Sequence, residues 1–201
     1  MTETALPRRR RLRHALALPN LLTYGRLLAV PVVAALLQSP NVHWMRWAAL
    51  AVFTVAAVTD FFDGYLARIW KQQSPLGQML DPIADKLLVA TTLLMLAANQ
   101  TLDSWALWAA IIILCREILV SGLREYLAER AVLPVSALAK WKTTSQLLAL
   151  GFLIVGPAGE TVLPGSLRIG WTLLWVAAAL TLYTGIDYLM AGWPHIGEDD
   201  D

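Results

Sequence analysis

Asp60-Phe61-Phe62-Asp63-Gly64-Tyr65-Leu66-Ala67-Arg68, followed after eight intervening residues by Gly77-Gln78-Met79-Leu80-Asp81-Pro82-Ile83-Ala84-Asp85, sets four carboxylates inside an otherwise apolar chain. Asp60 and Asp63 are three residues apart and Asp81 and Asp85 four apart, so each pair shares one helix face. Ser74-Pro75 between them reads as an N-cap and a first-turn proline, so one helix ends and another begins within the stretch. Carboxylates at or near a bilayer are expensive, and four together call for a cation and a task.

The flanking sequence supplies the bilayer. Of the 201 residues 57% are hydrophobic, nine are Trp, and the mean hydropathy is positive. Several apolar runs approach the roughly 20 residues a helix needs to cross a hydrocarbon core. A soluble domain of this size would alternate polar and apolar faces more evenly. The expected fold is therefore an all-α integral membrane protein of six transmembrane helices.

The spans are predicted at about 21–38, 44–68, 75–98, 105–129, 135–155 and 169–189. Ser39-Pro40, the Asn99 to Ser104 turn and Gly156-Pro157 serve as punctuation. Residues 20–190 form the membrane domain, between a basic segment at 1–19 and an acidic tail at 191–201. Residues 7–18 read as a juxtamembrane amphipathic helix on the cytoplasmic surface, with a positive arm that only sets topology as the alternative. With the N-terminus inside, only Arg46 and Arg168 of the 16 basic residues fall on the outer side, so both termini are expected in the cytoplasm. The motif carboxylates then lie at the cytoplasmic ends of spans two and three.

If those two spans are antiparallel neighbours, the paired faces converge. Four unpaired carboxylates would repel and partly protonate, and one or two divalent cations remove that penalty. Oxygen-only ligands favour Mg²⁺ or Mn²⁺ over Zn²⁺. Two such ions can clamp a pyrophosphate during phosphoryl transfer. Gly64 and Gly77 allow a bulky substrate to approach the backbone, and Arg68 is placed to meet a phosphate or a base edge.

Asp60, Asp63, Gly64, Ala67, Arg68, Gly77, Asp81 and Asp85 match, without departure, the signature of the CDP-alcohol phosphotransferase family, which this chain resembles. The resemblance implies a six-helix membrane fold, usually a homodimer, with a cytoplasm-facing dimetal site. It also implies attack by an alcohol on the lipid-bearing phosphate of a CDP-activated donor, with CMP leaving. On that basis Asp60, Asp63 and Asp81 are expected metal ligands, and Asp85 a further ligand and the general base. Gly64, Arg68 and Gly77 are expected to contact the CMP moiety.

Other segments bear on donor and acceptor. Pro19-Asn20-Leu21-Leu22-Thr23-Tyr24-Gly25-Arg26 resembles the opening of bacterial members. There Asn20 and Thr23 would hydrogen-bond the donor phosphates or the metal shell, unless they form only a helix start with Thr23 bonded to its own backbone. Arg116-Glu117 with Ser121-Gly122-Leu123-Arg124-Glu125, and Ala139-Lys140-Trp141-Lys142-Thr143-Thr144-Ser145-Gln146, are similar to bacterial members that use glycerol 3-phosphate. Ala139 departs from that pattern, where glycine is commoner.

Arg116 and Arg124, eight residues apart, point roughly along one helix face, and Lys140 and Lys142 begin the next span on the same side. These four are the candidate acceptor-phosphate ligands. Arg130 reads as a loop anchor, and Asp187 as a partner for one of the cations. The implied reaction joins CDP-diacylglycerol and glycerol 3-phosphate to give phosphatidylglycerol phosphate and CMP, at a bacterial inner membrane.

Alternatives are the same chemistry with serine, inositol phosphate or phosphatidylglycerol as acceptor, or a divalent-cation transporter lined by the aspartates. The transporter predicts acids spread through the membrane depth, whereas these bunch at one end. The Trp residues read as interfacial belts. His14, His43 and His195 form no ligand spacing, and Cys115 reads as a small packing residue.

Overall fold

The computed structural model describes residues 18–70, 75–127 and 138–192, with backbone alone at 18, 19, 60–70, 75, 76, 78, 127 and 139. Six helices and no strands occur among the described residues: α1 Leu18–Leu37, α2 His43–Trp70, α3 Pro75–Ala98, α4 Ser104–Leu127, α5 Leu138–Glu160 and α6 Ser166–Gly192. The predicted amphipathic segment at 7–18 and the tail at 193–201 lie outside the described residues. Pro75 opens α3, as its place after Ser74 predicts.

Three helices have the length and apolarity to cross a membrane, over Asn20–Leu37, Ser104–Tyr126 and Ser166–Gly192. In α2 and α3 the motif carboxylates dilute the apolar run, and in α5 Lys140, Lys142 and Gln146 do the same. Leu28, Val55, Leu94, Ile118, Leu119 and Met190 stand exposed while Arg26, Arg46, Thr181 and Thr184 are buried. Water would penalise that distribution, whereas lipid stabilises it, so the chain is a membrane protein.

The chain divides after Met95 into two compact units. In the first, α1 packs on α2. Ala29, Val33 and Leu37 form one stripe and Ala49, Phe53 and Ala56 another, each at three- and four-residue intervals. Their alanines let the backbones approach closely. Arg46, counted above on the outer side, is buried, and its Nε donates to the Pro40 carbonyl at 2.8 Å.

In the second unit α6 packs against both α5 and α4. Its buried face runs Gly170, Leu174, Ala177, Ala178, Thr181, Thr184, Gly185, Tyr188 and Gly192. Small residues dominate that face, and a Cβ on Gly170 would lie 2.9 Å from Leu153 Cγ.

The predicted turn ahead of α4 is built by its polar residues. Asn99 Oδ1 accepts from the Thr101 amide and hydroxyl, Gln100 takes a left-handed φ of 59°, and Trp171 Nε1 donates to the Thr101 carbonyl. Asp103 Oδ1 caps α4 by accepting from the Ala106 amide at 2.6 Å.

Gly156-Pro157 does not close α5 as predicted. Gly156 adopts φ 48°, ψ −127°, which kinks the helix, and one further turn continues to Glu160. Cys115 is exposed on α4 rather than packed, a second departure from expectation.

Candidate active site

The first unit holds the donor-side candidates. Asn20, Thr23 and Arg26 recur every three residues on α1 and are all buried, continuing the stripe of Ala29, Val33 and Leu37. Arg26 Nη1 donates to Asp81 Oδ1 on α3 at 3.0 Å. The arginine side chain has no accessible surface, while the Asp81 side chain keeps 31%. A lone guanidinium buried in lipid would be costly, and the carboxylate offsets that cost.

Asp85 stands one turn beyond Asp81 and is exposed, and Gly77 is buried one turn before it. The Arg26 bond engages only one of the Asp81 oxygens. Accessible, oxygen-only donors on successive helical turns fit a hard divalent cation. Asp60, Asp63, Gly64 and Arg68 occupy the last turns of α2, and their side chains lie outside the described ones.

The second unit gathers the acceptor-side candidates. Arg116 and Arg124 both turn toward α6, as their spacing of eight predicts. Arg116 Nη2 donates to Thr184 Oγ1 at 2.9 Å, and Arg124 Nη2 donates to Tyr188 Oη at 2.9 Å. The Arg124 guanidinium carbon also sits 5.6 Å from the Tyr188 ring centroid. Thr184 Oγ1 itself donates to the Leu180 carbonyl, which turns its lone pairs toward Arg116.

Lys142 enters the group from α5 by pairing with Glu117 on α4. Glu117 also accepts a longer bond, 3.4 Å, from Arg116 Nη1. Arg116 Nε is buried without a hydrogen-bond partner, so this cation is incompletely satisfied by the protein.

Not every expected residue joins. Lys140 is exposed, and its amine forms no ion pair among the described residues. Arg130 lies outside the described residues. Asp187 is exposed and likewise unpaired among the described residues, because it falls off the buried phase of α6. Its expected role as partner to a cation passes to Tyr188, one residue on. Glu117, Thr184, Gly185 and Tyr188 were not singled out by the motifs as site residues. The three-to-four-residue recurrence of Thr181, Thr184 and Tyr188 on an apolar helix was the signal available.

Comparison with known proteins places the chain in a family. Residues 16–183 match the family model described as CDP-alcohol phosphatidyltransferase. A Cereibacter sphaeroides protein named CDP-diacylglycerol–glycerol-3-phosphate 3-phosphatidyltransferase is 40% identical over an alignment of 218 residues, covering 91% of this chain and 98% of the relative. Relatives of the same name are 43% identical in Rickettsia bellii (87% of this chain, 94% of the relative) and 40% identical in Pseudomonas fluorescens (90% and 93%).

Proposed function

The chain belongs to the CDP-alcohol phosphatidyltransferase family, and from that premise we infer that it transfers the phosphatidyl group of CDP-diacylglycerol to sn-glycerol 3-phosphate. The products are phosphatidylglycerol phosphate and CMP. The observation that carries the acceptor is a group of three cations: Arg116 and Lys142 share one carboxylate, Glu117, while Arg124, two turns along α4 from Arg116, is held by Tyr188. Three cations against one anion leave a net positive site, suited to a phosphate monoester of charge about −1.5 to −2. Serine, which carries no phosphate, has no comparable use for such a site, whereas inositol phosphate shares that group and is separated only by the acceptor comparison below.

In this reading Asn20, Thr23, Gly64, Arg68 and Gly77 hold the CDP donor. Asp60, Asp63, Asp81 and Asp85 would hold one or two Mg²⁺ or Mn²⁺ ions, which supply charge neutralisation at the diphosphate. Asp85 takes the proton of the attacking glycerol hydroxyl, a poor nucleophile until a positioned base accepts it. Arg116, Arg124, Lys142 and the exposed Lys140 retain the acceptor phosphate.

The reading extends to six spans within residues 20–190, both termini in the cytoplasm of a bacterial inner membrane, and a homodimer. The bias of Lys/Arg between the two sides supports the topology, and resemblance to the family supports the dimer.

Purified protein in mixed micelles, given labelled CDP-diacylglycerol and each acceptor separately, tests the assignment. Label should pass to product only with glycerol 3-phosphate, with one CMP released per product. Turnover with serine, inositol phosphate or phosphatidylglycerol instead would overturn the acceptor. Divalent-metal flux into proteoliposomes without CMP release would overturn the enzyme class.

A further inference from the structure

We propose that Thr184, Gly185 and Tyr188 of α6 form a positioning wall that sets acceptor affinity by holding the guanidinium groups of Arg116 and Arg124. None of the three is charged, and none belongs to the family signature or the cationic motifs. The inference rests on the acceptor reading above and assigns the residues that make its cations effective.

Each wall residue acts by a different contact. Thr184 offers Arg116 an oxygen already oriented as an acceptor, because its own proton is committed to the Leu180 carbonyl. Gly185 is the slot through which the Arg116 side chain runs. A Cβ there would lie 3.0 Å from Arg116 Cγ and 3.3 Å from Nε, so even alanine requires the Arg116 side chain to give by a few tenths of an ångström. Tyr188 is a buried ring whose hydroxyl and face both meet Arg124, itself exposed.

An exposed arginine samples many rotamers, and anchoring it beforehand removes that cost from acceptor binding. Arg116 needs the wall for another reason. It is nearly buried, its Nε is unpartnered, and its contact to Glu117 is long. The wall therefore fixes where its remaining donors point.

The α6 residues touch the arginines and not the reacting atoms, which predicts a selective kinetic signature. Tyr188→Phe, Thr184→Val and Gly185→Ala should each raise the KM for glycerol 3-phosphate about three- to tenfold, as loss of one hydrogen bond or a displaced cation requires. The KM for CDP-diacylglycerol and the kcat at saturating acceptor should stay within about twofold of wild type. Tyr183→Phe, on the exposed face of the same helix, should move none of these.

Arg124→Ala and Arg116→Lys separate this inference from the reading beneath it. If neither raises the acceptor KM, the acceptor assignment itself fails. If both raise it while the three wall variants do not, only the wall is overturned. Parallel rises in donor and acceptor KM, or a fall in melting temperature that accounts for lost activity, would show a purely structural role and overturn it equally.

Discussion

The Arg26 guanidinium, with no accessible surface, lies 3.0 Å from Oδ1 of Asp81, tying α1 to a motif carboxylate on α3. Removing one partner of such a pair costs more than removing both, because it strands a buried charge. Asp81→Ala should lower unfolding stability by about 2–4 kcal/mol, and adding Arg26→Met should recover at least about half of that loss. Denaturation of the wild type, Asp81→Ala, Arg26→Met and the double variant in detergent measures the cycle. A loss in the double variant equal to the sum of the two single losses would mean that the ion pair contributes no coupling.

Asp85, the proposed general base, is exposed one turn from that pair. Asp85→Asn keeps its shape and removes its basicity, so turnover should fall by about 10²-fold or more. Metal-dependent CDP-diacylglycerol binding, read by equilibrium dialysis, should persist in part. Treatment with EDTA should abolish both in the wild type, with Mg²⁺ or Mn²⁺ restoring them. Wild-type rates in the asparagine variant would exclude the base role.

Much of this was legible in the sequence because membrane helices announce themselves by apolar length and the motif by fixed spacing. The six helices among the described residues, the first-turn Pro75 and the polar turn at Asn99 to Ser104 follow from those signals, with three of the helices long and apolar enough to cross a membrane. So does the shared orientation of Arg116 and Arg124, which helical periodicity alone dictates. What stayed hidden depends on which helix faces which. Arg26 counted only as one more inner cation, since nothing local says it will meet Asp81, 55 residues away. Asp187 carries the charge that suggests a cation partner, whereas helical phase puts Tyr188 on the buried face of α6. Gly156 read as a terminus because a glycine kink and a helix end share the same residues.

The same small-residue face of α6 sets a stability contrast. A methyl at Gly170 would meet Leu153 Cγ at 2.9 Å and Phe152 Cβ at 3.2 Å, whereas one at Gly122 on α4 would meet nothing within 4 Å. Gly170→Ala should therefore destabilise by about 1–3 kcal/mol through overpacking of α5 against α6. Gly122→Ala should instead be neutral or gain up to about 1 kcal/mol from helix propensity. Melting temperatures in one detergent decide it, and effects of the same sign would refute the α5–α6 packing described.

Glu160 closes the kinked end of α5 by accepting from the amides of Gly165 and Leu167 at 2.8 and 2.7 Å, with the Ser166 hydroxyl at 3.4 Å. The two amide bonds hold its carboxyl below the ordinary value of 4.5, with partial desolvation opposing them. A depressed folded pKa means that the unfolded chain binds more protons, so the stabilisation is present above 4.5 and lost as pH falls through the folded pKa. Glu160→Gln should thus melt lower than wild type at pH 7, with the gap narrowing once the pH drops below 4.5. Paired melting curves from pH 7 downward provide the comparison. A gap that stays constant with pH would show that the carboxylate charge contributes nothing to this cap.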